Sequence, residues 1–350
     1  DCRSNISGTV NIRQNPNDKS KIFRAIKRIF IILTYPFFLI NNVIRLYKLL
    51  RKINPEYVLI NNGGFPGSIN CLILSYLTRY FEIKKSAIIL NNQPDNHHFL
   101  YKLSPRFFYQ SLNNLDYIVA GSEQTIASFS GFSNFLPNIK FKTIPNGISV
   151  DRFHNSDIMH RRNKHFTQGE KIVFSIIGVH EKRKGHKVLI DAASILVNEY
   201  GVRSFKVIIE GKKNENYLKY AKENQIESLI SFYDAKDNIS ALYRKTDVLI
   251  VPSLFNEDLP NVISEGLAFG IPSIASNLAG IPSQIDHEQN GYIFEINNPK
   301  MLARIMLKLI HNPLILNDIK TNAISKYETK FQPSVCASKY LNLFEPNKNA

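Results

Sequence analysis

From residue 57 onward, short β-rich apolar runs alternate with helical patterns, and few folds admit that alternation. "YVLIN" (57–61) precedes the turn "GGFPG" and a helical stretch over 68–80. "SAIILNN" (86–92) precedes a helical segment near 103–113, and "DYIVAGS" (116–122) runs into another helix. The polar stretch "HNSDIMHRRNKHFTQGEK" (154–171) carries almost no apolar period and reads as a linker. The alternation then restarts with "KIVFSIIG", a helix over 186–200, "FKVIIEG", a helix over 214–225, "ISFYD", a helix over 238–245, "DVLIVPS", a helix over 261–269 and "PSIAS". Runs this apolar imply strands covered on both faces, as in parallel βαβ units. Two Rossmann-like, doubly wound halves are expected, followed by "NGYIFEI" (290–296) and helices ending in "VCASKYLNLF". With 350 residues, 44% of them hydrophobic, the chain can bury two cores.

The three cysteines (Cys2, Cys71, Cys336) lie far apart and match no metal-ligand spacing, so neither a disulfide framework nor a zinc site is expected, and a reducing compartment is. The first residues, "DCRSNISGTVNIRQNPNDKS", lack the basic start and apolar core of a signal peptide. The longest apolar run, "IFIILTYPFFLI" (29–40), is shorter than the roughly 20 residues of a spanning helix, and Pro36 interrupts it. The formal charge of +15 is concentrated at this end: residues 1–60 hold eleven Lys and Arg against three Asp and Glu. There, Ile22, Phe23, Ile26, Ile29, Phe30 and Leu33 recur at helical spacing opposite Lys21, Arg24, Lys27 and Arg28. That pattern suits an interfacial helix on an anionic membrane, but such stripes more commonly pack a surface helix on its own domain, which is the favoured main role; the two can coexist. Nucleic-acid binding is disfavoured, because the basic residues accompany aliphatic side chains rather than aromatic platforms.

Ligands of open parallel sheets bind outside the carboxyl ends of the strands, so the loops after the strands are the places to search. In "GVHEKRKGHK" (178–187), Lys182, Arg183 and Lys184 precede a helix whose N-terminus adds about half a positive charge; the loop suits phosphate, or is simply solvated. In "NEDLPNVISEGLAFG" (256–270), Pro260 fits a helix start and residues 261–263 should leave backbone donors open for an anion. Glu257 lies before that helix and Glu265 about one turn inside it, so the two cannot be a simple helix ion pair. Carboxylates accept hydroxyl pairs, so anion-seeking donors flanked by acids fit a nucleotide sugar. Taken singly, Glu265 is also a helix-start acid and Glu257 an exposed loop acid. "ASNLAGIPSQI" (275–285), ahead of a short helix near Ile281, is weak evidence alone.

As a set, these segments resemble the GT-B glycosyltransferases of glycosyltransferase family 4, over roughly residues 55–345. The resemblance rests on "TIPNGISVDRF" (143–153), "IIGVHEKRKGHKVLIDA", "VPSLFNEDLPNVISEGLAFGIPSIAS" and "AGIPSQIDHEQNGYIFE". It implies an acceptor-side domain over 1–148, a nucleotide-sugar domain over 149–330 and a C-terminal helix over 331–350 packing back toward the first. It also implies metal-independent, retaining hexosyl transfer from a UDP or GDP sugar, with no cofactor. By position, Glu265 would bind the ribose hydroxyls, Glu257 the donor sugar and Lys184 the leaving diphosphate. The backbone from Leu259 through Pro260 and Asn261 to Val262, with Gly178 and Arg183, would complete the donor cradle. On the acceptor side the resemblance points to the turn at Gly64 and, with Asn91 and Asn92 standing where the family often has a histidine, to His98.

Two departures stand out. Val179 occupies the place of the family's phosphate-loop arginine, with Lys182 or Arg183 as the expected substitute, and the family's first strand and Gly-rich turn are not visible in residues 1–50. The leading expectation is a cytoplasmic enzyme, peripheral on the inner face of the membrane, glycosylating a lipid-linked or polysaccharide acceptor. A non-catalytic glycan- or anion-binding protein on this scaffold and a nucleotide-sugar epimerase are the alternatives.

Overall fold

A computed structural model describes residues 37–65, 67–91, 110–129, 139–234 and 238–345. The chain divides into two compact units, residues 1–54 and 55–350. In the first, helix α1 runs through residues 37–53, with Phe37, Ile40 and Ile44 exposed. The amphipathic segment at 22–33 lies outside the described residues.

In the second unit, β1 (Tyr57–Asn62), β2 (Lys85–Leu90), β3 (Tyr117–Ala120) and β4 (Lys140–Thr143) form a parallel sheet in the order β1-β2-β3-β4. Helices α2 (Ile69–Leu77) and α3 (Glu123–Ser128) belong to this half. One face of the sheet packs Ile60, Leu72, Ile88, Leu90 and Phe129. The other packs Ala87, Val119 and Ile144 with Leu343.

The second sheet is also parallel, in the order β10-β9-β8-β5-β6-β7. Its strands are β5 (Ile172–Ile176), β6 (Phe205–Glu210), β7 (Ile230–Tyr233), β8 (Val248–Val251), β9 (Ser273–Ser276) and β10 (Gly291–Phe294). Helices α4 (Asn155–Asn163), α5 (His186–Asn198), α6 (Glu215–Glu223), α7 (Ile239–Lys245) and α8 (Asn261–Ala268) join or flank them. Helices α9 (Pro299–His311), α10 (Ile315–Lys326) and α11 (Pro333–Phe344) follow β10. One face is lined by Val188, Leu189 and Met306, the other by Ile263 and Leu267, so β5, β8 and β9 are covered on both sides, as their unbroken apolar runs require. Local chemistry starts the helices: Ser122, Asn214, Asn238 and Asn298 cap theirs with side-chain oxygens, and Pro299 and Pro333 occupy first turns, where a missing N–H costs nothing. Phe344 of α11 meets Tyr57 of β1 edge-on at 5.7 Å.

Two elements differ from the reading of the sequence. The stretch read as a linker contains α4, whose inward positions are Asp157, Ile158 and Arg161. Arg161 is fully buried, donating to the carbonyls of Thr246 (2.7 Å) and Asp247 (3.1 Å). A helix buried through an arginine has no apolar stripe to betray it; the guanidinium also lies 3.8 Å from the buried Asp247 carboxylate, and removing one partner of a buried ion pair typically costs about 3–5 kcal/mol. Strand β4, "KFKT", alternates exposed and half-buried at the sheet edge with two lysines, and so lacks the apolar run of its neighbours.

Candidate active site

Strand β5 pairs with β6 on one side and β8 on the other, so the strand order reverses between β5 and β8. In parallel sheets generally, ligands bind at such a reversal, outside the carboxyl ends of the two strands. The loops leaving them are the two charged segments singled out in the sequence.

After β5, Gly178 (φ +147°) lets the chain turn beside the stem of Lys184, and a single 3-10 turn over Lys182–Lys184 ends at Gly185. Gly185 (φ +71°) is required: a Cβ there would drive into the Pro252 carbonyl. The two loops are stitched together by the Leu254 N–H donating to the Arg183 carbonyl at 2.8 Å. Lys184 and Arg183 then converge on one oxygen of Glu257, Lys184 by a close ion pair and Arg183 through Nη1 at 3.2 Å. Arg183 also holds Glu181 at 2.6 Å. Val179, by contrast, is exposed. Of the two cations expected to substitute for it, Arg183 lies beside Lys184, both on Glu257.

Pro260 is the N-cap of α8, with no side-chain cap of its own. The Ile263 N–H returns to the Pro260 carbonyl at 3.1 Å, so of the three donors expected to be open, that one is already paired. Asn261 and Val262, earlier in the turn, have no helical carbonyl to reach. Glu265 lies one turn on, 7% exposed, with Tyr243 donating its hydroxyl to Oε2 at 2.5 Å and Arg152 paired to Oε1. Glu257 and Glu265 thus flank the start of α8, as their spacing suggested.

The loop after β9, weak as a motif, braces this arrangement. Gln284 is buried and donates to Ser264 Oγ at 2.9 Å and to the Pro260 carbonyl at 3.3 Å. Asp258, between Glu257 and Leu259, is 2% exposed and accepts from Ser122 Oγ at 2.8 Å, tying the loop after β3 to the loop after β8. A side chain at Gly280 would strike both Asp258 and Ser122, and one at Gly121 would strike Leu259. Burial raises the Asp258 carboxyl, opposed by bonds from Thr125, Ser122 and the Gly280 backbone.

On the first sheet, Gly64 is half-buried in the turn after β1. The conformational demand in that turn falls on Gly67 (φ +59°), where a Cβ would meet Asn62 and the Gly64 carbonyl. Asn91, after β2, donates to Asn61 Oδ1 at 3.0 Å and accepts from Asn146 at 3.4 Å, a polar chain along the strand ends. His98 and Asn92 lie outside the described residues. Sequence reasoning missed Arg152, Tyr243, Ser122, Asp258 and Gln284; Arg152, Ser122, Asp258 and Gln284 lay in segments read for other residues, "TIPNGISVDRF", "DYIVAGS", "NEDLPNVISEGLAFG" and "ASNLAGIPSQI", and Tyr243 lay only in an expected helix. Among the described residues no three His, Cys, Asp or Glu side chains group as metal ligands.

His186, the first residue of α5, is 1% exposed and stacks on Tyr217 at 5.3 Å. Burial, with smaller contributions from His180 and Lys184, pushes its imidazole down to about 4 from 6.5. The unfolded chain therefore takes up this proton first as pH falls, so the contribution is fully present above 6.5 and is lost toward 4. By pH 5 the loss is up to about 2 kcal/mol. Asp258 and Glu210, raised by burial, act in the opposite sense. Denaturant melts at pH 7 and pH 5 should therefore show a larger acid loss in the wild type than in His186→Gln; equal losses would contradict this.

Residues 157–327 match the family model described as "Glycosyl transferases group 1". An uncharacterized glycosyltransferase of Haemophilus influenzae is 30% identical over 175 residues, covering 50% of this chain and 48% of that one. Spore coat protein SA of Bacillus subtilis is 30% identical over 233 residues, covering 60% and 59%. The chain thus spans about half the length of these curated relatives. Among solved structures, Anabaena Alr3699/HepE in complex with UDP superposes with a TM-score of 0.69 at 18% identity, over 86% of this chain and 82% of that one. The chain therefore has the GT-B fold, two parallel-sheet α/β domains, and its residues 157–327 are similar to the glycosyl transferases group 1 model.

Proposed function

We propose that the chain is a retaining glycosyltransferase of family 4 that moves a hexosyl group from a UDP or GDP sugar to a lipid-linked or polysaccharide acceptor. The observation that carries this reading is the convergence of Lys184 and Arg183 on Glu257 at the strand-order reversal, beside the start of α8 with Glu265 one turn inside. As the bond from sugar to phosphate breaks, negative charge grows on the leaving diphosphate, and fixed positive groups there lower the barrier. Lys184, Arg183 and the Asn261 and Val262 N–H groups supply that positive field, so the reading needs no metal ion and no cofactor. Glu257 then exchanges its cations for hydroxyls of the donor sugar, while Leu259 and Pro260 shape the cradle and Gly178, at a φ that favours glycine, turns the chain beside Lys184. The UDP bound in the Anabaena structure supports a nucleotide donor of this kind.

The domain over 149–330 would hold the donor and that over 1–148 the acceptor, with Gly64 and His98 on the acceptor side and 331–350 returning to the first domain. The exposed Val179 favours one other reading, a glycan-binding protein without turnover. Nucleoside diphosphates separate binding from turnover. UDP or GDP at about 100 times its dissociation constant should stabilise the chain by about 2.7 kcal/mol. Lys184→Ala should then lower sugar transfer about 100-fold or more. No stabilisation by either nucleotide would overturn the donor reading; stabilisation without transfer to any acceptor would favour the protein without turnover.

We further propose a cytoplasmic, membrane-peripheral location. Its support is α1, where Phe37, Ile40 and Ile44 are exposed and Arg45, Lys48, Arg51 and Lys52 are unmatched by any acid in the helix. No helix among the described residues is long and apolar enough to cross a membrane. The full chain should sediment with phosphatidylglycerol vesicles in low salt and less so in high salt, and Ile40→Asp/Ile44→Asp should weaken the association. Sedimentation unchanged by that double substitution would refute the role of α1.

A further inference from the structure

Glu265 is more constrained than its proposed role requires. Its Oε2 accepts the Tyr243 hydroxyl at 2.5 Å, and its Oε1 pairs with Arg152. Tyr243 is fully buried in an aromatic box, stacked on Phe269 at 4.9 Å and edge-on to Phe153 at 5.5 Å. Burial first, and Glu265 second, raise its phenol well above the ordinary value, so it stays protonated and donates. Arg152 approaches from the other side; its side chain is 59% exposed and its guanidinium lies over the Phe153 ring at 4.8 Å.

Satisfying a buried tyrosine hydroxyl does not explain the carboxylate. A neutral amide would accept that bond without the cost of burying a charge. A carboxylate has about four acceptor positions, and here one partner occupies each oxygen, leaving one acceptor position on each for a pair of hydroxyls side by side. Tyr243 from inside and Arg152 from outside also prevent the carboxylate from rotating away.

Resting on the nucleotide-donor reading above, we propose that Tyr243 and Arg152 are positioning residues that orient Glu265 toward a vicinal diol, making the site selective for ribose over 2′-deoxyribose.

The test is calorimetric titration of the full chain with UDP and 2′-deoxy-UDP, and with GDP and 2′-deoxy-GDP. The wild type should prefer the ribose form of its nucleotide by about tenfold or more, as hydrogen bonds to a charged group imply. Glu265→Ala should bind both forms alike. Tyr243→Phe and Arg152→Ala should each lose most of the preference while binding the 2′-deoxy form within about twofold of the wild type, and Arg152→Lys should recover part of it. Affinity for the 2′-deoxy form reports folding within the same titration, and exposed Arg152 can be truncated without opening the core. Wild-type preference retained in Tyr243→Phe and Arg152→Ala, but abolished in Glu265→Ala, would overturn the proposal and leave the donor reading standing. A wild type that binds ribose and 2′-deoxyribose forms equally, or binds no nucleotide, would overturn both.

Discussion

The adjacency of β5 and β8 is the constraint on which the site depends. Because these two parallel strands pair directly, Phe174 opposite Val248 and Ser175 opposite Leu249, the loops that leave them must emerge side by side. One brings cations and the other carboxylates. The pairing of Lys184 and Arg183 with Glu257 is therefore a product of sheet topology, at the strand-order reversal where parallel sheets generally bind ligands. Gly185 makes the approach possible, since any side chain there would meet Pro252. The charges of Lys184, Arg183 and Glu257 offset one another. An anion arriving there meets cations whose partner carboxylate is itself suited to hydroxyls, so one molecule carrying phosphate and polyol can replace both halves of the pair.

Buried polar contacts hold the presenting loops where packing alone would not. Asp258 reaches Ser122, 136 residues earlier, and binds the strand ends of the first sheet to the loop that carries Glu257. Gln284 holds the start of α8 from the loop after β9. Each uses part of its hydrogen-bonding capacity on such a tie, Asp258 through Oδ1 and Gln284 through Nε2, while Asp258 Oδ2 and Gln284 Oε1 are buried without a partner. The aromatic box around Tyr243 extends the same logic beneath Glu265, where Phe153 touches both Tyr243 and Arg152.

Much of this was legible in the sequence for a simple reason: parallel strands buried on both faces must be apolar throughout, and "DVLIVPS" or "KIVFSIIG" can be little else. The charged loops were legible because they follow such strands, and Glu257 and Glu265 because a proline and an apolar run mark the helix between them. What escaped depends on partners distant in the chain. The helix at Asn155–Asn163 turns an arginine inward, so hydrophobic periodicity cannot find it. Arg152 and Tyr243 reach Glu265 across 113 and 22 residues, and neither carries a local pattern that announces it. The edge strand "KFKT" is half exposed and charged, as edges commonly are.

That one nucleoside diphosphate sugar spans the strand-order reversal, its phosphates against the β5 loop and its ribose against α8, is the claim on which the functional reading stands. A crystal structure of the chain with bound UDP or GDP tests it most directly. The predicted result is a diphosphate held by Lys184 and Arg183, both released from Glu257, with the ribose hydroxyls on Glu265. A nucleotide bound elsewhere, with those ion pairs intact and Glu265 turned from it, would contradict the claim.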